Sequence, residues 1–101
     1  MALLIVEFYE DAPFMASRNE SVIYGKLISS TEDTSLSTTA EHVSVPDNAQ
    51  YCAVSTDTAC YIEIGSGNQD VASGRRTYIA ADQRLDFAVK PTDTVSYRSV
   101  S

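Results

Sequence analysis

Between Tyr51 and Val89 three short apolar runs follow one another, separated by polar or glycine-bearing turns, and this spacing is that of strands joined by turns rather than of helices. The first run, Tyr51-Cys52-Ala53-Val54, stops at Ser55-Thr56-Asp57-Thr58; the second, Ala59-Cys60-Tyr61-Ile62-Glu63-Ile64, stops at Gly65-Ser66-Gly67-Asn68. β-Branched and aromatic arms around a small polar connection predict a hairpin. Because side chains alternate across a strand, Cys60, Ile62 and Ile64 point one way and Tyr61 and Glu63 the other. Leu85, Phe87 and Val89 repeat the pattern against Asp86 and Lys90. A loop at Ser55-Thr56-Asp57 sets Cys52 opposite Cys60, so the two thiols are expected across from each other on one sheet face.

The flanking sequence extends the strand pattern. Leu3 to Tyr9 is dominated by strand formers and ends at Glu10-Asp11-Ala12-Pro13, where proline removes a donor. Ser21 to Ile28 has helical spacing at Ile23/Leu27 and Tyr24/Ile28, but its β-branched content and Gly25 favour a strand with a bulge. Ser29 to Thr39 is Ser/Thr-rich with Leu36 as its only large apolar residue, which reads as a loop or edge strand. His42 to Val45 alternates as a short strand closed by Pro46-Asp47-Asn48. Gly65 to Arg76 is expected to be the longest exposed loop, and strands are expected at Thr77–Ala80, Arg84–Val89 and Thr94–Val100. Short strands at this spacing predict an all-β fold, an antiparallel β-sandwich, jelly-roll-like domain or small barrel. With 101 residues, one domain is expected, residues 1–40 forming a partly extended N-terminal arm with loops and residues 41–101 the compact β core.

Charge narrows the partners. A formal net charge of −7 disfavours nucleic acid, whose backbone is bound by clustered Lys and Arg. The imbalance is concentrated in the first half, where Glu7, Glu10, Asp11, Glu20, Glu32, Asp33, Glu41 and Asp47 face only Arg18 and Lys26. Met1 to Phe8 lacks a positive n-region and meets Glu7 too early for a signal core or membrane span, so a cytosolic protein with no membrane partner and with reduced thiols is expected.

Catalytic chemistry finds little support. The sole imidazole, His42, stands beside Glu41 in a strand without a recognisable nucleophile partner. Cys52 and Cys60 match no zinc spacing and have no neighbouring cation to activate them, so they read as small buried hydrophobes. Gly65-Ser66-Gly67-Asn68-Gln69-Asp70 lacks the lysine of a P-loop and the spaced acids of an EF-hand. Asp57, Asp70, Asp82 and Asp93 suit turns, and Arg75-Arg76 suits a solvated loop flank. No catalytic residue, metal or cofactor is therefore expected. Six tyrosines, Tyr9, Tyr24, Tyr51, Tyr61, Tyr78 and Tyr97, suit core edges, protein interfaces or sugar-binding surfaces.

From Val43 to Val100 the chain resembles small virion proteins of tailed bacteriophages. The resemblance is carried by Tyr51-Cys52-Ala53-Val54, by Asp57-Thr58-Ala59-Cys60-Tyr61-Ile62-Glu63-Ile64-Gly65, by Tyr78-Ile79-Ala80-Ala81 and by Leu85-Asp86-Phe87-Ala88-Val89-Lys90-Pro91. It implies a head decoration, or cement, protein: a non-enzymatic β-sandwich or jelly roll made in the host cytoplasm, bound to the major capsid protein on the outside of the virion, often as a homotrimer. On that reading the interface draws on the acidic first half and the tyrosines, with Glu7, Tyr9, Glu10, Asp11, Phe14, Tyr24, Tyr61 and Tyr78 as its candidates. A carbohydrate-binding or fibre-type β module and a head-to-tail connector or tail component are the alternatives.

Overall fold

The computed structural model describes residues 2–10, 14–15, 22–23, 27–72 and 74–101. Among them are ten strands: β1 (Leu4–Tyr9), β2 (Phe14–Met15), β3 (Val22–Ile23), β4 (Leu27–Asp33), β5 (Glu41–Ser44), β6 (Tyr51–Thr56), β7 (Cys60–Ser66), β8 (Thr77–Ile79), β9 (Gln83–Ala88) and β10 (Asp93–Ser99). Two four-stranded antiparallel sheets pack together as a β-sandwich, the first in the order β4-β1-β6-β9 and the second in the order β5-β10-β7-β8. β2 and β3 pair in a separate two-stranded ribbon.

The period of two along each strand builds the core. β1 turns Leu4, Val6 and Phe8 inward, β6 adds Cys52 and Val54, and the second sheet answers with Cys60, Ile62, Ile79, Val95 and Tyr97. β1 thus lies between β4 and β6 inside the first sheet, and the compact core begins at Leu4 rather than at residue 41. Within residues 1–40, β1 and β4 supply half of that sheet, because three inward-facing large side chains in β1 bury too much apolar surface to remain an arm. β4 is the edge strand that its composition allowed. The bulge expected near Gly25 falls outside the described residues; the β1–β4 register itself shifts at Ile28, passing from Phe8↔Ser29 to Tyr9↔Leu27.

The expected hairpin does not form. β6 is flanked by β1 and β9, and β7 by β10 and β8, so the segment from Asp57 to Ala59 carries the chain from one sheet to the other. Polar side chains fix this crossing. The Thr56 hydroxyl donates to Thr58 O (2.6 Å) and accepts from Thr58 N–H (3.1 Å), while Asp57 Oδ1 accepts from Leu3 N–H (2.7 Å) and from the Thr58 hydroxyl (2.8 Å). A tight hairpin turn calls for residues at positive φ, and none of the three linking residues adopts it. From β4 to β10 the chain changes sheet at every connection except that between β7 and β8.

Cys52 and Cys60 therefore face the same interior from opposite sheets, both buried and both free thiols. Burial, followed by the charge of Asp86, pushes Cys52 up to about 12; burial also raises Cys60. Thiolate is the reactive form, so neither cysteine of the folded protein should react with a thiol reagent at pH 8. Two labels per chain are expected only after denaturation, and fast labelling of either cysteine in the native protein would contradict the buried placement.

Candidate protein-docking surface

The outer face of the second sheet carries two cross-strand rows. Register sets Arg98 of β10, Tyr61 of β7 and Tyr78 of β8 side by side, and in the other row His42 of β5, Ser96 of β10 and Glu63 of β7. The first row is a cation–aromatic cluster. The Tyr61 and Tyr78 rings meet at 5.9 Å with a 59° tilt, the Arg76 guanidinium carbon lies 3.6 Å from the Tyr61 centroid, and that of Arg98 lies 5.2 Å from it. Tyr78 is 56% exposed.

The second row is covered. Of Gly65 to Arg76, expected to form an exposed loop, Gly65 and Ser66 end β7, and residues 67–72 and 74–76 fold back over this row, where Val71 is completely buried at a φ of 58°. Gly67 and Gly74 adopt positive φ and provide the two bends. Gln69 N–H donates to Ser96 Oγ (3.2 Å), which also lies 2.8 Å from His42 Nδ1. Arg75 Nε donates to Glu63 Oε2 (2.9 Å) and Arg75 Nη2 to Asp70 Oδ1 (3.1 Å). The loop is tied down because Glu63 is only 6% exposed and Arg75 supplies its countercharge. Ser96 is fully buried, so the His42–Ser96 contact presents no hydroxyl nucleophile to solvent.

The outer face of the first sheet has a different character. Arg84 of β9 pairs with Glu7 (3.3 Å) and donates to the Tyr9 hydroxyl (3.4 Å), with Asp86 at 3.9 Å. Beside it a cleft of about 280 Å³ is lined by Leu3, Ile5, Asp57, Asp82 and Arg84, among others, but the Asp57 carboxylate is already engaged within the chain. Among the described residues no three His, Cys, Asp or Glu side chains converge as a metal-holding group.

The structure divides the interface residues that the sequence put forward. Tyr61 and Tyr78 come together on the second sheet, whereas Glu7 and Tyr9 lie across the sandwich, and Tyr9 is 8% exposed, too buried to act as a surface anchor of the single chain. Glu10 is half-buried just beyond β1, Phe14 belongs to the β2–β3 ribbon, and Asp11 and Tyr24 lie outside the described residues. Sequence reasoning overlooked Arg76 and Arg98. Arg76, two residues before Tyr78, was a legible signal; Arg98 meets Tyr61 only through the β7–β10 register.

No family model, curated protein or solved structure gives a significant match to this chain.

Proposed function

We propose that this protein is a non-enzymatic structural component of a tailed-bacteriophage virion that decorates the assembled capsid and stabilises it by binding at subunit seams. The observation that carries this reading is the Tyr61–Tyr78–Arg76–Arg98 cluster, displayed on a rigid sheet. Tyr and Arg dominate protein-interface hot spots, because each offers a large apolar contact together with a directed polar group. The resemblance running from Val43 to Val100 spans β6 to β10 and half of β5, and so includes the strands that display the cluster. A sugar platform has less support: the Arg76 guanidinium lies over the Tyr61 ring at 3.6 Å, where a pyranose would stack.

A protein that binds only the assembled shell stabilises it by mass action, and many modest contacts add up. Purified protein added to shells that lack it is expected to bind saturably at symmetric sites and to raise the shell melting temperature. Tyr78→Ala should weaken binding at least about tenfold, the scale of a hot-spot truncation. No binding to shells, together with specific retention on a glycan surface, would transfer the assignment to a carbohydrate-binding module.

A further inference from the structure

The run Leu3-Leu4-Ile5-Val6 is apolar at every position, but a strand turns alternate side chains to opposite faces. Leu4 and Val6 are buried in the core, whereas Leu3 and Ile5 stay partly exposed and give an apolar floor to the cleft of about 280 Å³ on the outer face of the first sheet. Small-molecule sites usually enclose about 300–1,000 Å³. A smaller cleft, open to solvent, suits a single side chain of a partner better than a cofactor. Its walls are held from within the chain. Leu3 N–H donates to Asp57 Oδ1 (2.7 Å), and Leu3 O accepts from Asp57 N–H (3.0 Å) and from the Thr56 hydroxyl (3.2 Å). On the β9 side Asp82 stands at a φ of 62°, and its N–H donates to Thr56 O (2.9 Å). Walls fixed in this way lose little freedom when a ligand binds.

Charge decides what the floor takes. Asp57 and Asp82 line the cleft, and Glu32 stands opposite Ile5 across the β1–β4 pairing. Arg84 is the one cationic side chain in the lining, and it already lies 3.3 Å from Glu7 and 3.9 Å from Asp86. Asp57 is engaged by Leu3 and Thr58, but Asp82 is exposed and its carboxylate forms no ion pair or hydrogen bond among the described residues. An apolar floor beside an uncommitted carboxylate matches lysine, whose aliphatic stem packs on apolar surface while its ammonium group stays hydrated next to the opposite charge. We infer that this cleft is a second protein-contact site, which seats a lysine side chain of a basic partner segment with its stem over Leu3 and Ile5 and its ammonium group at Asp82. The site lies on the sheet opposite the Tyr61–Tyr78 cluster and does not require the capsid reading.

Titration of the isotope-labelled full chain with the peptide acetyl-Ala-Ala-Lys-Ala-Ala-amide, followed by nuclear magnetic resonance, tests it. The peptide is expected to shift the amides of Ile5, Ser55, Asp82 and Gln83 saturably, with a dissociation constant on the order of 1 mM. Asp82→Asn keeps the left-handed turn, because asparagine tolerates positive φ, and should raise that constant at least about threefold. Ile5→Thr keeps a strand former but removes part of the floor, and should weaken binding as well. Norleucine in place of the peptide's lysine keeps the stem without the charge and should bind at least about threefold more weakly. Glu41→Gln, on edge strand β5 of the other sheet, should change nothing. Absence of saturable shifts up to about 20 mM, or equal losses in Asp82→Asn and Glu41→Gln, overturns the inference. Butylamine binding as tightly as the peptide would also overturn it, by assigning the cleft to small amines. Shell binding without peptide binding would sink this inference and leave the decoration reading standing; peptide binding without shell binding would do the reverse.

Discussion

Phe8→Ala is expected to lower the free energy of unfolding by about 3–5 kcal/mol, the range for deleting a fully buried phenylalanine ring. Phe8 is 1% exposed in the central strand β1, opposite Cys52 on one side and Ser29 on the other. Neither of those small neighbours can expand into the space left by the ring. Domains of this size are stable by only about 5–15 kcal/mol, so the variant would stand close to the limit of folding. Its melting temperature should fall by more than about 12 °C at the usual 4–8 °C per kcal/mol. Urea denaturation followed by circular dichroism would measure the change, and an unaltered denaturant slope would attribute it to the folded state. A loss below about 1.5 kcal/mol, the scale of trimming a methyl group, would mean that the ring is not enclosed as described.

The second large effect concerns the bond that ties the two sheets together at the β4–β10 corner. Tyr97 Oη donates to Asp33 Oδ2 at 2.8 Å, and Tyr97 is buried. Hydrogen bonds to charged groups are worth about 1.5–3 kcal/mol; Asp33 is partly open to solvent, so about 1–2 kcal/mol is expected for Tyr97→Phe at neutral pH. The dependence on pH has a definite sign. Burial pushes the Asp33 carboxyl up, but hydrogen bonds from Ser35 N–H, the Tyr97 hydroxyl and the Ser35 hydroxyl outweigh it and hold the group below its ordinary value of 3.8. The unfolded chain therefore takes up a proton at Asp33 before the folded one does. Stability from this group is complete above pH 3.8 and is lost as pH falls through the lower folded value.

Tyr97 itself is raised above 10.0, by burial first and by Asp33 next, so the folded state loses stability as pH climbs past 10.0, where the unfolded tyrosine ionises. Tyr97→Phe should flatten both limbs of the stability profile. Identical profiles for the variant and the wild type at low and at high pH would show that the bond contributes nothing.

What the sequence determined by itself was local. Alternation of Cys60, Ile62 and Ile64 against Tyr61 and Glu63 assigned the buried and outward faces of β7 correctly, because a strand's period of two is a property of the backbone and needs no partner. Turn residues marked the end of β5 at Pro46 and the start of β10 at Pro91-Thr92-Asp93, whereas β6 runs on through Ser55 and Thr56, which the sequence reads as part of the loop. Which strand lies beside which was a tertiary decision. β6 and β7 look like a hairpin over their own residues, but β1 and β9 occupy both edges of β6, and the burial of Phe8, Cys52 and Phe87 that rewards this arrangement comes from segments tens of residues apart. Residues 65–76 likewise read as an exposed loop until Glu63 is buried, since only then does Arg75 have a carboxylate to neutralise and Val71 a surface to cover. The docking surface belongs to the same class: Tyr61 and Tyr78 were visible as candidates, but Arg98 joins them only through the register between β7 and β10, a long-range pairing that no local pattern encodes.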